Sequence, residues 1–507
     1  MKKSRIPLIL SLFALCACQG NNISGDTKPS ENMPTETAKP SETSQPNTYR
    51  PNIYEQLTYA LEDLNNSMTL TGKLSYATSD GTKTSTSESE VTAEIDQDAY
   101  YYREADQITN ETLVEENFFA GDDGFMYART LDPLTNEVVE TKSSNKYDIA
   151  MESPLPELEV KCLDAIREKP NWFIIKSKYH SLASRIVYFL TGYQTTGLPS
   201  YKPSGNSYSG AYDYTPTVSE FALHFNGDEI DQFRFIVELE ISEDDGTYIY
   251  EGMQFELDIS ELGMTTPRSI EPLEHTAGHD KLTSALAPYK YDNEALNNYT
   301  MHVDLSYDSK LLTGYSYDYL IDFKKQIIYN TYEFTGLLKP ETEGGEYTEY
   351  KYNFAYQFEN GRIYIYRYLS DDTHAFVKKD EFSKYWGFSS SQAEIGTSFL
   401  DAAPKIGSLA VECFKDNGDN TYTPYKIYKT LALLSMNTFE EYVNEPTSGD
   451  YSIVLKDDGT LDCFKNSLFG NFVLGGSTNT IAATETFTVT IKDYNTTTIP
   501  SFCVPHE

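Results

Sequence analysis

Leu64-Asn65-Asn66, followed by Leu74-Ser75-Tyr76, decides the fold, because the same pattern returns as Leu296-Asn297-Asn298, followed by Leu305-Ser306-Tyr307. Later segments match at nearly the same spacing of 231 or 232 residues, for example Phe255-Glu256-Leu257-Asp258-Ile259 with Phe487-Thr488-Val489-Thr490-Ile491 and Thr265-Thr266 with Thr497-Thr498. A third match pairs Phe221, Leu223, Phe225, Gly227, Ile230, Asp231 and Phe233 with Tyr451, Ile453, Leu455, Gly459, Leu461, Asp462 and Phe464. Chance does not place several matches in the same order, so we predict a tandem duplication: repeat 1 over residues 52–272 and repeat 2 over residues 281–507.

Each repeat is expected to open with a helix and to continue as antiparallel sheet. In repeat 1 the helical spacing belongs to Ile53, Leu57, Ala60, Leu61 and Leu64, before the cap Asn65-Asn66. In repeat 2, Pro288 interrupts the same pattern. Apolar and polar residues then alternate from Met68 to Tyr76, as in a strand with one buried face. Hairpin turns are predicted at Asp80-Gly81, Asp123-Gly124, Asn226-Gly227, Asp245-Gly246, Asn360-Gly361 and Asp458-Gly459.

Helical inserts are predicted between the early and late strands of each repeat, where their apolar residues would cover one sheet face. They span Pro156 to Glu168 and Ser181 to Leu190 in repeat 1, and Ala393 to Phe414, broken at Pro404, and Tyr425 to Val443 in repeat 2. The predicted class is therefore α+β, with two tandem half-barrel-like curved sheets. This order of elements resembles the half-barrel lipoproteins of the LolA and LppX/LprG type. That resemblance implies a cavity for lipids or lipoproteins between sheet and helices.

The N-terminus has the layout of an export signal over residues 1–17. Basic Lys2, Lys3 and Arg5 precede an apolar run from Ile6 to Leu15, which is shorter than the roughly 20 residues that span a bilayer. Ala17 and Cys18 follow. Residues 1–19 resemble the signal of bacterial lipoproteins, which implies a thioether diacylglycerol and an acylated amine on Cys18. We therefore expect a lipid anchor at the outer, extracytoplasmic face of the cell membrane.

Residues 18–51 contain the acylated cysteine and a tether rich in Ser, Thr, Asn, Pro, Glu and Lys, which cannot bury enough surface to fold. A flexible chain of this length reaches on the order of 30 Å. The formal net charge of the whole chain is −37. So acidic a protein is repelled by nucleic acid, which we exclude as a partner.

Few residues form a constellation that could carry out chemistry. Glu274, His275, His279 and Asp280 have the composition of a metal site, but Gly278 interrupts them in a junction, and we predict no metal there. Asp416-Asn417-Gly418-Asp419-Asn420 lacks the glutamate of a calcium loop and is expected to be an ordinary loop. No phosphate loop, dinucleotide fingerprint or nucleophile motif is present. The alternating carboxylates Glu94, Asp96 and Asp98 are expected to be solvated. We predict no catalytic residue and no cofactor.

Two further residue types bear on function. Cys162, Cys413, Cys463 and Cys503 are expected to be buried free thiols, with a Cys463–Cys503 disulfide as the alternative. The 41 tyrosines and 26 phenylalanines cluster at Tyr100 to Tyr102, Tyr347 to Tyr356 and Tyr364 to Tyr368. They favour either ordinary strand packing or a groove for an amphipathic ligand. Trp172 and Trp386 would lie in the core or at the mouth of such a groove.

Three functions follow as hypotheses. The main one is a non-catalytic binder or carrier of a lipid-like or amphipathic ligand. The alternative is a surface lipoprotein that binds or scaffolds another protein. An extracytoplasmic hydrolase comes third, because its paired acids need not be neighbours in sequence.

Overall fold

A computed structural model describes residues 52–64, 67–79, 84–96, 98–146, 153–191, 217–242, 248–338, 346, 348–385, 395–436, 448–473 and 480–503. By its internal contacts the chain divides into two compact units. The first comprises Met1–Asn110, Val114–Thr130 and Glu140–Ile270, and the second comprises Glu111–Leu113, Leu131–Val139 and Glu271–Glu507. The described residues include no helix that is long and apolar enough to cross a membrane.

Repeat 1 forms one sheet of eleven strands among the described residues. In chain order they are β1 (Met68–Ser79), β2 (Thr84–Ile95), β3 (Ala99–Asp106), β4 (Thr112–Ala120), β5 (Phe125–Asp132), β6 (Glu137–Lys146), β7 (Leu163–Ala165), β8 (Trp172–Ile175), β9 (Thr217–Phe225), β10 (Ile230–Ser242) and β11 (Tyr248–Ser260). The order across the sheet is β6-β5-β4-β3-β2-β1-β11-β10-β9-β8-β7. The first and last strands are therefore neighbours at its centre, with Thr69 opposite Ser260.

Two α-helices of repeat 1 cover one face of this sheet: α1 (Ile53–Asp63) and α2 (His180–Thr191). A capping box begins α1, because Asn52 accepts from the Glu55 backbone N–H while the Glu55 carboxylate accepts from the Asn52 N–H. Leu57, Leu61 and Ile186 pack with the buried residues of the strands in one continuous core. We call this the helix-covered face, and the other side the opposite face.

Repeat 2 contains three α-helices among its described residues: α3 (Ala277–Leu286), α4 (Phe382–Tyr385) and α5 (Lys429–Ser435). Its strands are β12 (Asn298–Tyr307), β13 (Tyr315–Asp322), β14 (Ile327–Leu338), β15 (Thr348–Glu359), β16 (Arg362–Leu369), β17 (Phe376–Glu381), β18 (Phe414–Asp416), β19 (Thr421–Pro424), β20 (Ser448–Leu455), β21 (Leu461–Val473) and β22 (Thr480–Lys492). They follow the order β17-β16-β15-β14-β13-β12-β22-β21-β20-β19-β18, which is the topology of repeat 1.

Fine details repeat as well as the topology. Thr69 and Thr265 share a hydroxyl hydrogen bond of 2.9 Å, and Thr300 and Thr497 share one of the same length. Just after the last strand, the positive φ of 53° at Glu261 is matched by 52° at Asp493. Two tandem antiparallel curved-sheet units of α+β class are confirmed.

The turn predictions are confirmed wherever the residues are described. Asp123-Gly124, Asn226-Gly227 and Asp458-Gly459 each join two strands, and their glycines have positive φ. At Asn360-Gly361 both residues have positive φ, of 50° and 77°, as a two-residue hairpin of the right twist requires. Asp80-Gly81, Asp245-Gly246 and the cap Asn65-Asn66 lie outside the described residues.

Two predicted helical inserts are wrong. The segment from Pro156 to Glu168 contains short 3-10 turns at Leu155–Glu157 and Val160–Cys162, followed by β7. The segment from Ala393 to Phe414 contains 3-10 turns at Phe399–Asp401 and Val411–Cys413, followed by β18. A turn plus a short strand gives nearly the same spacing of apolar residues as a helix, so this spacing led to the prediction of helices in both segments. The inserts at α2 and α5 are helical, and residues 437–443 lie outside the described part.

Candidate functional site

A small void lies under the helices of repeat 2. That void is lined by Leu286, Ile406, Leu409, Phe414, Tyr451 and Phe464, among others, and measures about 10 Å³. This is the room that a single water molecule needs, and far less than an acyl chain occupies.

A larger space lies on the opposite face of repeat 1. It is a groove of about 690 Å³. On β11, Phe255 and Leu257 point into the core, so Gln254, Gly252 and Tyr250 belong to the opposite face. Ser75 and Ala77 of β1, Thr86 and Glu88 of β2, Ile236 and Glu238 of β10, and the turn after β3 complete this lining. Ala77, Ile236 and the ring of Tyr250 form its apolar part.

A glycine shapes the floor of the groove. A Cβ atom at Gly252 would come within 2.5 Å of the Tyr250 hydroxyl oxygen, so only glycine lets the Tyr250 ring lie across this position. The Tyr250 hydroxyl then donates to Glu238 Oε1 on the neighbouring strand, at 2.9 Å. The ring and the carboxylate are thereby held side by side on the groove surface.

The turn after β3 presents an apolar side chain at the groove. Asp106 Oδ1 accepts from the backbone N–H of Ile108 at 3.1 Å and from that of Thr109 at 2.8 Å. Asn110 closes the turn with a φ of 55°, a conformation that asparagine tolerates better than most residues. Ile108 is 93% exposed at the tip of this tightly bonded turn. The fold therefore places a large apolar side chain in solvent on a rigid support.

The charged residues that line the groove are all acidic. Glu88, Asp106 and Glu238 are its charged lining residues, and none of the described lining residues is Lys, Arg or His. Two of these acids also serve the fold, since Asp106 organises the turn and Glu238 accepts from Tyr250. The lining thus combines apolar side chains with an acidic rim.

Repeat 2 lacks the groove residues at the matching positions. The pair Glu238 and Gly252, which face each other on β10 and β11, correspond to Phe469 and Thr484, which face each other on β21 and β22. Tyr250 corresponds to Ala482. In addition, Asp308 Oδ1 accepts from the Thr484 N–H at 2.8 Å and ties the strand ends together. The two repeats have diverged at this surface.

His275 and His279, which belong to the candidate metal cluster, form hydrogen bonds with other residues of the fold. His279 lies in the first turn of α3, where its Nδ1 accepts from the Thr276 N–H at 3.0 Å and its Nε2 donates to the Phe414 carbonyl at 2.8 Å. His275 Nδ1 lies 2.5 Å from Glu412 Oε1. Hydrogen bonds to Glu412 and then to Asp280 raise the pKa of His275. The described residues contain no group of three or more ligands that could hold a metal ion.

The candidate calcium loop is a tight connection between β18 and β19. Asp416 Oδ1 accepts from the Gly418 N–H at 2.8 Å, and Asp419 Oδ1 accepts from the Thr421 N–H at 3.1 Å. The carboxylates thus form side-chain turns of the kind that asparagine and aspartate favour.

The prediction of solvated carboxylates is wrong for Glu94, which is 6% exposed. The chain beyond β11 folds across the opposite face and brings Arg268 onto it. Glu94 Oε2 accepts from the Arg268 N–H at 2.8 Å, and Oε1 accepts from its Nε at 2.7 Å. Asp96 is half-buried and Asp98 is exposed.

All four body cysteines, Cys162, Cys413, Cys463 and Cys503, are free and buried, so the Cys463–Cys503 disulfide does not form. Burial raises the pKa of the Cys413 and Cys503 thiols to about 12. Such thiols are poor nucleophiles, because the reactive form is the thiolate.

Most clustered aromatic residues pack in the cores. Tyr100 and Tyr102 belong to the core of repeat 1, whereas Tyr101 faces the other way and donates to Glu115 Oε1 at 2.7 Å. Tyr366 and Tyr368 join a small cluster with Cys503 on the opposite face of repeat 2. Trp172 is half-buried against His224, with ring centres 5.3 Å apart. Trp386, Tyr347 and the predicted anchor Cys18 lie outside the described residues.

Sequence reasoning did not find the groove, because its residues come from five separate segments. One signal for it was available in the repeat itself: Phe255 to Ile259 match Phe487 to Ile491 at a spacing of 232 residues. Extending this match backwards places Ala482 and Thr484 where repeat 1 has Tyr250 and Gly252, which marks both as positions that differ between the repeats.

Comparison with known proteins gives little more. No protein-family model matches the chain, and no curated protein matches it. Two solved variants of Transferrin Binding Protein B, a vaccine antigen from Haemophilus parasuis, are 7% identical over 84% of this chain and 76% of theirs, with TM-scores of 0.11 and 0.12. A porin-like protein from Bacteroides uniformis is 8% identical over 83% of this chain and 98% of its own, with a TM-score of 0.09. Similarity at this level carries no information on function.

Proposed function

We propose that this protein is a lipid-anchored extracytoplasmic lipoprotein that binds a protein partner without catalysing a reaction, and that the groove of repeat 1 is the docking site. The observation that carries the proposal is Ile108, a large apolar side chain that is 93% exposed beside this groove. Exposed apolar side chains next to tyrosines are typical of the energetic centre of protein interfaces.

The groove suits a protein better than a lipid. A lipid tail needs an enclosed apolar space, and the void under the helices of repeat 2 measures about 10 Å³. The groove instead lies on the polar face of a sheet, where Glu88 and Glu238 stand beside Ile236 and Tyr250. The protein-binding alternative is therefore favoured over the lipid-carrier hypothesis.

A non-catalytic role is favoured because two acidic residues of the groove are held in hydrogen bonds within the fold. Asp106 and Glu238 are engaged by the turn and by Tyr250. The described lining contains neither His nor Cys that could act with the nearby Ser75 or Ser87 as a nucleophile–base pair.

The docking site is tested by photocrosslinking in cells that produce the full chain. A benzophenone amino acid replaces Ile108, and in a matched strain it replaces Leu311, which is 70% exposed at a turn of repeat 2. We expect a discrete protein adduct from position 108 and none from position 311. Equal labelling at both positions, or adducts to lipid alone, would refute the proposal.

The anchor is tested separately. Cys18→Ala should abolish incorporation of labelled palmitate and shift the protein from the membrane fraction to the soluble one, because two or three acyl chains supply the membrane affinity. Cys16→Ala is the matched control and should leave palmitate incorporation and membrane association unchanged. Membrane retention of the Cys18→Ala variant would refute lipid anchoring at this residue.

A further inference from the structure

The groove of repeat 1 is a trough between two rows of longer side chains. Its floor includes three small residues on the two central strands, Ser75 and Ala77 of β1 and Gly252 of β11. Glu88 of β2 stands on one side of this floor, and Glu238 of β10 stands on the other. Since neighbouring strands lie about 4.8 Å apart, the backbones that carry these two carboxylates are roughly 14 Å apart. With its volume of about 690 Å³, the trough has room for the side chains of one segment of another polypeptide.

The two carboxylates that flank the trough have uncharged neighbours across the strands. Ser75 is opposite Glu88 on β1. Gly252 and Thr217 are opposite Glu238, on β11 and β9. The hydrogen bond that Glu238 accepts comes from a phenol, which is uncharged as well. Both carboxylates therefore keep their attraction for a cation that comes from outside the fold.

The next row of side chains on the same face is arranged differently. There Lys73 of β1 is opposite Glu90 on one side and Glu256 on the other, so a base lies between two acids. The Gln107 amide separates this lysine from the trough. In the orientation that satisfies both neighbours, its oxygen accepts from Lys73 Nζ at 3.2 Å and its nitrogen donates to Glu88 Oε2 at 2.8 Å. Among the described residues, the sheet thus places a base between the acids of this row but not between those of the trough.

Apolar side chains adjoin these carboxylates. Ile108 is 93% exposed at the tip of its turn, and Ile236 of β10 lines the trough beside the ring of Tyr250. A partner that covers the groove therefore meets apolar surface and negative charge within one site. Protein interfaces match such a site with apolar side chains and with charge of the opposite sign.

We propose that the segment of the partner that docks in this groove is basic, with a lysine or arginine between Glu88 and Glu238 and an apolar side chain against Ile108. This inference rests on the proposed function, because it names the chemistry of the protein that docks there. Charge complementarity carries it, and the formal net charge of −37 on the whole chain attracts a cationic segment from a distance. At the groove, the lysine or arginine would donate charge-assisted hydrogen bonds to the carboxylates, which are stronger than neutral ones.

The experiment uses the strain that carries the benzophenone amino acid at position 108 of the full chain. Glu88→Gln and Glu238→Gln are introduced together in this background, since glutamine removes both charges and keeps an acceptor oxygen for Tyr250. Glu62→Gln with Glu349→Gln, at two exposed positions outside the groove, changes the net charge by the same amount and is the control. We expect the groove variant to lower the yield of the protein adduct by about tenfold and the control to leave it unchanged.

Mass spectrometry of the adduct identifies the crosslinked segment, which should contain lysine or arginine beside apolar residues. Glu88→Gln alone, at an exposed position, should leave the fold intact and still lower the yield, which separates loss of charge from a folding defect. The inference is overturned if the groove variant crosslinks as well as its parent, if the control loses the adduct equally, or if the segment is acidic or uncharged. In those cases the docking site itself stands, whereas the absence of any adduct in the parent strain would refute the proposed function and this inference with it.

Discussion

At the scale of single residues, burial decides which acidic side chains contribute to the stability of the fold. Glu94 alternates in sequence like its exposed neighbour Glu90, yet a later segment of chain covers it and supplies Arg268. Alternation along a strand reports only which face a side chain is on. It cannot report that a segment 174 residues away will cover that face.

Glu94→Ala should lower the free energy of unfolding by about 2 kcal/mol, because the Arg268 backbone N–H and guanidinium lose their acceptor. Urea denaturation measures the change. Glu90→Ala on the same strand is the control and should change stability by less than about 0.5 kcal/mol. Equal effects from both variants would show that the Glu94 contact is not stabilising.

Glu485 makes stability depend on pH. Desolvation by burial raises its pKa above the ordinary value of 4.5, although the hydrogen bond from Tyr307 opposes this. The folded state therefore holds the proton more tightly than the unfolded one, and stability falls as pH rises through and above 4.5. Glu485→Met should remove this part of the pH dependence. Denaturation curves between about pH 4 and pH 8 test it, and parallel profiles for both proteins would contradict it.

The thiols provide a test of burial. Because all four thiols are buried, and burial raises the pKa of Cys413, Cys463 and Cys503, the native protein should react slowly with Ellman's reagent. In denaturant, all of Cys162, Cys413, Cys463 and Cys503 should react. Rapid labelling of the native protein would contradict the burial. A shortfall of two thiols in denaturant would instead indicate a disulfide.

At the scale of elements, strands and hairpin turns could be predicted from sequence, while the inserts could not. The alternation from Met68 to Tyr76 and the turn at Asn360-Gly361 encode local geometry directly. From Leu158 to Ile166 the apolar spacing suits a helix, but tertiary contacts select a 3-10 turn and the edge strand β7. The groove depends on the contact of Gly252 with Tyr250 and on a distant turn, so no local pattern could reveal it.

Both repeats contain a hydrogen bond between a threonine of the first strand and a threonine that follows the last strand: Thr69 with Thr265, and Thr300 with Thr497. Thr265→Val and Thr497→Val should each cost about 1 kcal/mol, since the partner hydroxyl of Thr69 or Thr300 loses a buried hydrogen bond. Chemical denaturation measures both. Thr58→Val, at an exposed position of α1, is the control. An unchanged stability in both variants would show that the repeated contact has no energetic role.

At the scale of the whole molecule, each repeat has its own core. Phe235→Ala should destabilise repeat 1, and Phe487→Ala should destabilise repeat 2, each by about 3–5 kcal/mol. Calorimetry should then show two unfolding transitions, and each variant should lower the midpoint temperature of a different one. If either substitution shifts the whole unfolding curve uniformly, the repeats unfold as one unit.

The pairing of the first strand with the last has a mechanical consequence. Where β1 begins, β11 ends, with Thr69 opposite Ser260, so the entry and exit of repeat 1 lie side by side. A pull on these two ends would separate β1 from β11 one hydrogen-bonded pair at a time, like a zipper, instead of loading all the pairs together in shear. Repeat 2 has the same arrangement at β12 and β22, with Thr300 opposite Lys492. Each repeat would thus yield at low force if its two ends were pulled apart.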